Sequence, residues 1–395
     1  MSRYLIQQTL LSIVKLFIFI SFMFFFIQIM MPGDFIDQYS LFCNADCRVR
    51  LRAQLGLDLP IWQRYLNWIK QIVTLDLGNS LHGEPIMETL KLVVPATLLV
   101  FVTGTIIAFL LGLWLGKRTA WQGSAFLSRA ATLGGLTLYT SFPPWLTWLF
   151  TYLFTKGAGF VVMGEVGGLG QLAFIGLDRL LWADIEVHPS VIAFRMIAIL
   201  IGFALCFYLV KNLIDEFTKR STPGIIYLIL IFASTVGIWY LLDMELLAFD
   251  IMQIAWIPLV TYILLTFGET MMIMQASMDD VMKSEYIITA KAKGLPDSVV
   301  LERHAARNAL LPVISRLVIS LPYLITGVVI IESSTDWPGM GTKMWNALYW
   351  QDIPLVMATL LIVGVLSLVA RLMLDIITAY LDPRIRYGEK RMPSN

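Results

Sequence analysis

Residues 10–31 read LLSIVKLFIFISFMFFFIQIMM, with a single charge, Lys15, near the start. A helix needs roughly 20 apolar residues to cross the hydrocarbon core of a bilayer, and this run supplies them. It is too long for the apolar core of a signal peptide, and the Met31-Pro32-Gly33-Asp34 that follows is not a small-x-small cleavage site, so it reads as a retained span. Seven further runs, at about 95–115, 130–155, 191–211, 224–242, 251–274, 312–333 and 354–380, are similarly apolar and end in charges or Gly/Pro turns. Pro143-Pro144 interrupts the third and predicts a kink there, because proline lacks the N–H and crowds the preceding turn. Across 395 residues, 58% are hydrophobic and 14% charged. Soluble domains carry about 25% charged residues, so lipid must take the place of a core. The fold class expected is all-α, a polytopic transmembrane bundle of about eight spans.

Sidedness follows from Lys and Arg in the short connections. Arg3, Lys117, Arg118, Arg129, Lys211, Lys219 and Arg220 fall on one side, with Lys283, Lys291, Lys293, Arg303 and Arg307, and Arg384, Arg386, Lys390 and Arg391 after the last span. That side is expected to be the cytoplasm, with both termini in it. Segment 32–94 also carries Arg and Lys but is long enough to translocate regardless of charge. Within it Ile61, Tyr65, Trp68, Ile69 and Ile72 recur at helical spacing after Pro60, giving an amphipathic helix whose apolar face fits either the membrane surface or neighbouring spans. The organisation expected is 1–31 N-terminus and first span, 32–94 external cap, 95–190 two spans and an external loop, 191–250 a hairpin, 251–380 the remaining spans with a cytoplasmic loop at 276–311, and 381–395 a tail. The net charge of +1 gives no reason to expect nucleic acid. Cys43 and Cys47, four apart in the external segment, are compatible with a bridge or with two free thiols; Cys206 reads as packing, and no metal site is expected.

Between the sixth and seventh spans the chain reads SEYIITAKAKGLPDSVVLERHAARNALLP, residues 284–312. Physically this is two short helices broken at Gly294, with Pro296 opening the second. Thr289, Ala290 and Ala292 are small enough to admit a close partner surface, while Lys291, Lys293, Arg303 and Arg307 make the rest basic. An exposed short helix with small residues at its centre suits docking into a groove. Composition alone fits an ordinary basic loop equally well; the order of residues separates the two.

That order resembles the EAA loop of ABC importer permeases, in the form found in the dipeptide/oligopeptide/nickel branch. The match runs through Glu285, Tyr286, Thr289, Ala290, Ala292, Lys293, Gly294, Leu295, His304, Arg307, Asn308, Ala309, Leu310 and Pro312. Leu55-Gly56-Leu57-Asp58, Asp76-Leu77-Gly78, Trp337-Pro338-Gly339-Met340-Gly341 and Leu381-Asp382-Pro383-Arg384 look like other parts of the branch's first, oligopeptide permease B-like, subunit. The family has six spans, so the runs at 191–211 and 224–242 read as an inserted hairpin. The resemblance implies a bacterial or archaeal cell-membrane permease that pairs with a second, homologous permease as a heterodimer. It implies two ATPase subunits beneath, which bind ATP-Mg and dock on this loop, and an extracytoplasmic substrate-binding protein. Peptides are the implied cargo; nickel chelates, glutathione and oligosaccharides fit the same machinery.

No ATPase site of its own is expected. Gly112-Leu113-Trp114-Leu115-Gly116-Lys117-Arg118 lacks the glycine spacing of a phosphate-binding loop. Among intramembrane charges, functional candidates by default, Arg371 and Asp375 stand four apart and are expected to pair or to snorkel, and Glu269 is expected to pair across helices or face the translocation cavity. Met271, Met272, Met274 and Met278 read as adaptable packing, and His304 as a structural hydrogen-bonding group. An ion-coupled secondary transporter needs no docking loop and usually shows internal repeats, which are absent; an intramembrane enzyme needs converging polar motifs, and the three histidines, 82, 188 and 304, lie far apart.

Overall fold

The computed structural model describes residues 2–30, 44, 46, 49–50, 52, 58–81, 83–121, 125–152, 161–162, 165–166, 189–218, 224–335 and 337–381. Cys43, Cys47, His82 and His188 lie outside them. The helices are α1 (Ser2–Met30), α2 (Ile61–Thr74), α3 (Ile86–Trp121), α4 (Ala125–Thr140), α5 (Pro143–Thr151), α6 (Pro189–Thr218), α7 (Gly224–Leu241) and α8 (Glu245–Met282). They continue as α9 (Glu285–Ala292), α10 (Asp297–Val299), a π-helical turn (Val300–Ala305), α11 (Ala306–Thr335), α12 (Met340–Tyr349) and α13 (Ile353–Leu381). Two-residue strands, β1 (Val161–Val162) and β2 (Glu165–Val166), pair antiparallel. The protein is an all-α membrane bundle: where they are described, the expected apolar runs fall on helix, the third in two pieces, and five helices among the described residues are both long and apolar enough to cross a bilayer. The chain divides into two compact units, one of residues 1–91, 314–325 and 343–395, the other of 92–313 and 326–342.

In the first unit α1 packs on α13, where Gly364 leaves room for Phe19 and Leu16. The amphipathic α2 follows Pro60 and turns its aromatic face onto α1: Tyr65 lies 5.3 Å from Phe24 and 5.1 Å from Phe25, and Trp68 5.2 Å from Phe24, measured between ring centres. Two polar contacts fix the register, Tyr65 to Ser21 between hydroxyls at 2.7 Å and Arg64 Nη2 donating to Gln28 Oε1 at 2.7 Å. Of the two surfaces open to this helix, it has taken the neighbouring span. Asp352, 1% exposed, caps α13 by accepting from Leu355 N at 3.2 Å and also accepts from Leu81 N at 3.2 Å.

The second unit is organised on α8, which packs on α4, α5, α6 and α7. A Cβ at Gly112 of α3 would stand 2.7 Å from Thr270 Cβ, and one at Gly116 2.7 Å from Met271 O. The string unfit for phosphate is therefore a small-xxx-small seam that lets two backbones meet, as helices in lipid require when apolar burial does not drive them together. A Cβ at Gly135 of α4 would stand 2.5 Å from Met271 Cε. Met271, Met274 and Met278 are buried, at 0%, 1% and 0% exposure, and fill the space beside these glycines. The expected kink is a break at Ser141 and Phe142, after which Pro143 opens α5. Cys206 is exposed on α6, not packed, because the surface of that helix faces outward there.

Candidate functional site

The loop after α8 is built by end signals. Ser284 is extended (φ −75°, ψ 142°), and Glu285 places a carboxylate in the first turn of α9, where the helix dipole favours it. Gly294 at φ +73° ends the helix in the left-handed conformation that glycine adopts without a Cβ clash, and its N–H donates to Lys291 O at 2.9 Å. Ile287 and Ala290, three apart, face inward at 1% and 6% exposure and enter a core with Met274, Met278, Val300, Ala305 and Val313. Burying Ile287 contributes about 1.5–3 kcal/mol, enough to seat so short a helix.

Ala290 thus differs from its expected place. Its small side chain admits α9 to the protein's own core, and the outer edge consists of Thr289, Ala292, Lys293, Gly294 and Leu295, all exposed. Glu285 and Tyr286 are also exposed; the Tyr286 hydroxyl accepts from Asn308 Nδ2 at 2.8 Å, tying α9 to α11. The second helix is not short. It begins after Pro296 and runs through the π-helical turn to Thr335 without interruption, Pro312 included. His304 is half-buried, and Arg307, Asn308 and Pro312 are exposed. Lys117 Nζ lies 2.9 Å from both carboxylate oxygens of Glu302, and Lys291 lies over Trp121 at 4.7 Å. Exposed ion pairs are worth about 0–1 kcal/mol, so these contacts orient the loop more than they hold it.

Of the intramembrane candidates, Glu269 is half-buried on α8 and Arg371 is exposed on α13. The side chain of Asp375 lies outside the described residues. A more deeply placed acid escaped the sequence reading. Glu332, at 0% exposure, accepts from Thr97 Oγ1 at 3.0 Å and from Gly341 N at 2.8 Å through Oε2. Thr97 in turn accepts from Met340 N at 2.8 Å, and Trp337 Nε1 donates to Ala96 O at 3.2 Å. Gly339 lies so close to the Glu332 carboxyl, and Gly341 to Val329 O, that neither has room for a Cβ. The Trp337–Gly341 turn is thus knotted to the start of α3. A signal existed, since Glu332 is an acid inside the apolar run 312–333.

Apolar spans with a short helix seated on their own core define an integral membrane component with one exposed helix edge. The family described as "Binding-protein-dependent transport system inner membrane component" matches residues 217–387, and the N-terminal domain of the same transport-system membrane components matches residues 1–84. The chain is 27% identical to a putative peptide permease of Brucella suis biovar 1 over 397 residues, 98% of this chain and 99% of that protein. It is 26% identical to the dipeptide transport system permease DppB of Escherichia coli (strain K12) over 382 residues, 95% and 96% of the two chains. It is 26% identical to the oligopeptide transport system permease AppB of Bacillus subtilis (strain 168) over 391 residues, 98% and 100%. The chain belongs to the inner-membrane permease components of binding-protein-dependent transport systems. It is an integral inner-membrane protein that works with ATPase and substrate-binding partners.

Proposed function

We propose that this permease forms half of the pore of an ATP-driven peptide importer, beside a second, homologous permease, with two ATPase subunits below and an extracytoplasmic binding protein above. The observation that carries the coupling role is the division of α9 into a buried face, Ile287 and Ala290, and an exposed edge from Thr289 to Leu295. A force applied to the edge is transmitted through a packed face to α8 and α11, because close-packed side chains cannot be displaced singly. Both termini and this loop lie in the cytoplasm, by the Lys/Arg bias. ATP-Mg binds in the ATPase partners, and this chain contributes no cofactor site. Segment 191–250 is an added hairpin. The peptide cargo is supported by the names of the relatives.

The test is co-purification of the ATPase with Ala292→Glu and Leu295→Glu, two exposed-edge variants, alongside dipeptide uptake in vesicles containing the assembled importer. Loss of ATPase capture with an unchanged unfolding profile is the expected result. Wild-type capture by both variants would sink the docking role. Intact capture with no uptake of any short peptide would sink the cargo.

A further inference from the structure

The second unit holds a cavity of about 630 Å³ beside the loop but away from the exposed edge of α9. Leu110, Leu113 and Trp114 of α3 form one wall and Leu310 of α11 another. The mouth is charged: Lys117, Arg303 and Arg307 face a single carboxylate, Glu302, which Lys117 already engages. Arg303 and Arg307 are exposed and have no ion-pair partner among the described residues. Trp114, 48% exposed, carries the Arg118 guanidinium 4.8 Å above its ring, an amphipathic pair of the kind that settles at a membrane–water interface.

The occupant must satisfy both halves of this surface. A small soluble anion would neutralise the guanidiniums and leave Leu110, Leu113 and Leu310 against water. An apolar protein helix would cover the leucines and strip water from two unpaired cations, which is costly. An amphiphile with an anionic head and an apolar tail matches both. Guanidinium is suited to phosphate, which it meets with two parallel N–H donors. Basic pockets between spans on the cytoplasmic side bind anionic headgroups on the same chemistry.

We propose that this cavity is a binding site for an anionic phospholipid, with Arg303 and Arg307 on the phosphate and an acyl chain along Leu110, Leu113 and Leu310. The assignment to the cytoplasmic leaflet rests on the sidedness given under Proposed function; the site itself does not.

The assembled importer is reconstituted into nanodiscs of phosphatidylglycerol and phosphatidylcholine, extracted in mild detergent, and its retained lipid counted by native mass spectrometry. Wild type is expected to retain phosphatidylglycerol selectively. Arg303→Gln with Arg307→Gln lowers that selectivity roughly thirty-fold, from about fivefold per basic residue near an anionic surface. Leu113→Gln, which keeps both arginines, lowers retention as well. Arg303→Lys with Arg307→Lys keeps the charge and gives an intermediate loss, which separates a binding effect from unfolding. Unchanged retention in the double Gln variant overturns the proposal. Displacement by inorganic phosphate alone identifies a soluble-anion site and overturns the lipid assignment. A Trp114→Cys thiol that a membrane-interface maleimide labels only after the second permease is removed places protein in the cavity, with the same consequence. ATPase capture is scored separately, so failure here is distinct from failure of the docking reading.

Discussion

Replacing Thr97 by Val tests the knot around Glu332. The two side chains have nearly the same shape, so packing changes little, but Thr97 Oγ1 makes two buried contacts. It donates to Glu332 Oε2 at 3.0 Å and accepts from Met340 N at 2.8 Å. Valine leaves the Met340 N–H without an acceptor at a site where Thr97 is 1% exposed, which costs about 1–3 kcal/mol. Oε2 keeps the Gly341 N–H, so the carboxyl loses one donor of two. Hydrogen bonds between membrane helices average only about 0.6 kcal/mol, which brings the second loss to the low end. The expected destabilisation is about 2–4 kcal/mol. Thr97→Ser keeps both bonds and removes one methyl, about 1 kcal/mol. Unfolding of the purified permease in mixed micelles, followed by near-ultraviolet circular dichroism, measures both. Equal stability of the Val and Ser variants would refute the argument that the hydroxyl pins the turn.

Glu332→Gln retains a carbonyl oxygen for Thr97 and Gly341 and is expected to fall within about 1 kcal/mol of wild type, whereas Glu332→Leu strands both donors and costs more than about 2 kcal/mol in the same assay. Gly268→Leu drives a side chain into the Gly135 backbone and is expected to abolish recovery of monodisperse protein on size exclusion, while Gly134→Ala, with nothing within 4 Å of its Cβ, is recovered normally. Tyr286→Phe removes the acceptor of Asn308, lowers stability by about 0.5–1.5 kcal/mol and speeds amide hydrogen exchange in α9; unchanged exchange there would remove this bond from any account of how the loop is held.

The spans were legible because lipid imposes a simple demand, a long apolar run with its backbone satisfied internally. Pro143-Pro144 was legible as a break, and α2 after Pro60 as an amphipathic helix, for reasons equally local. The face of α9 was not: Thr289, Ala290 and Ala292 are all small, and which one turns inward depends on Met278 and Val300 beneath, supplied by other helices. The Glu332–Thr97 contact joins residues 235 positions apart, beyond any periodicity. At Gly112 and Gly116 the spacing fits no phosphate loop and takes its meaning from helix contact, which only the partner α8 supplies. Nor does a π-helical turn announce itself, since no residue from Val300 to Ala305 is a breaker.

That turn makes chain length a matter of phase. A π-helical turn holds one residue more than its α-helical equivalent, and each residue of an α-helix advances the rotation by about 100°. Deleting one residue between Val300 and Ala305 would let the turn relax to α-helix with its flanks nearly in phase, whereas inserting a second extra residue there would rotate everything before it against everything after it by about 100°. Val300, 0% exposed, would be turned out of the core, and Glu302 away from Lys117. The interval from Gly294 to Pro312 therefore acts as a dial setting, fixing the azimuth at which α9 meets the span. An added residue in this interval would turn α9 out of register with the span whatever side chains it carried.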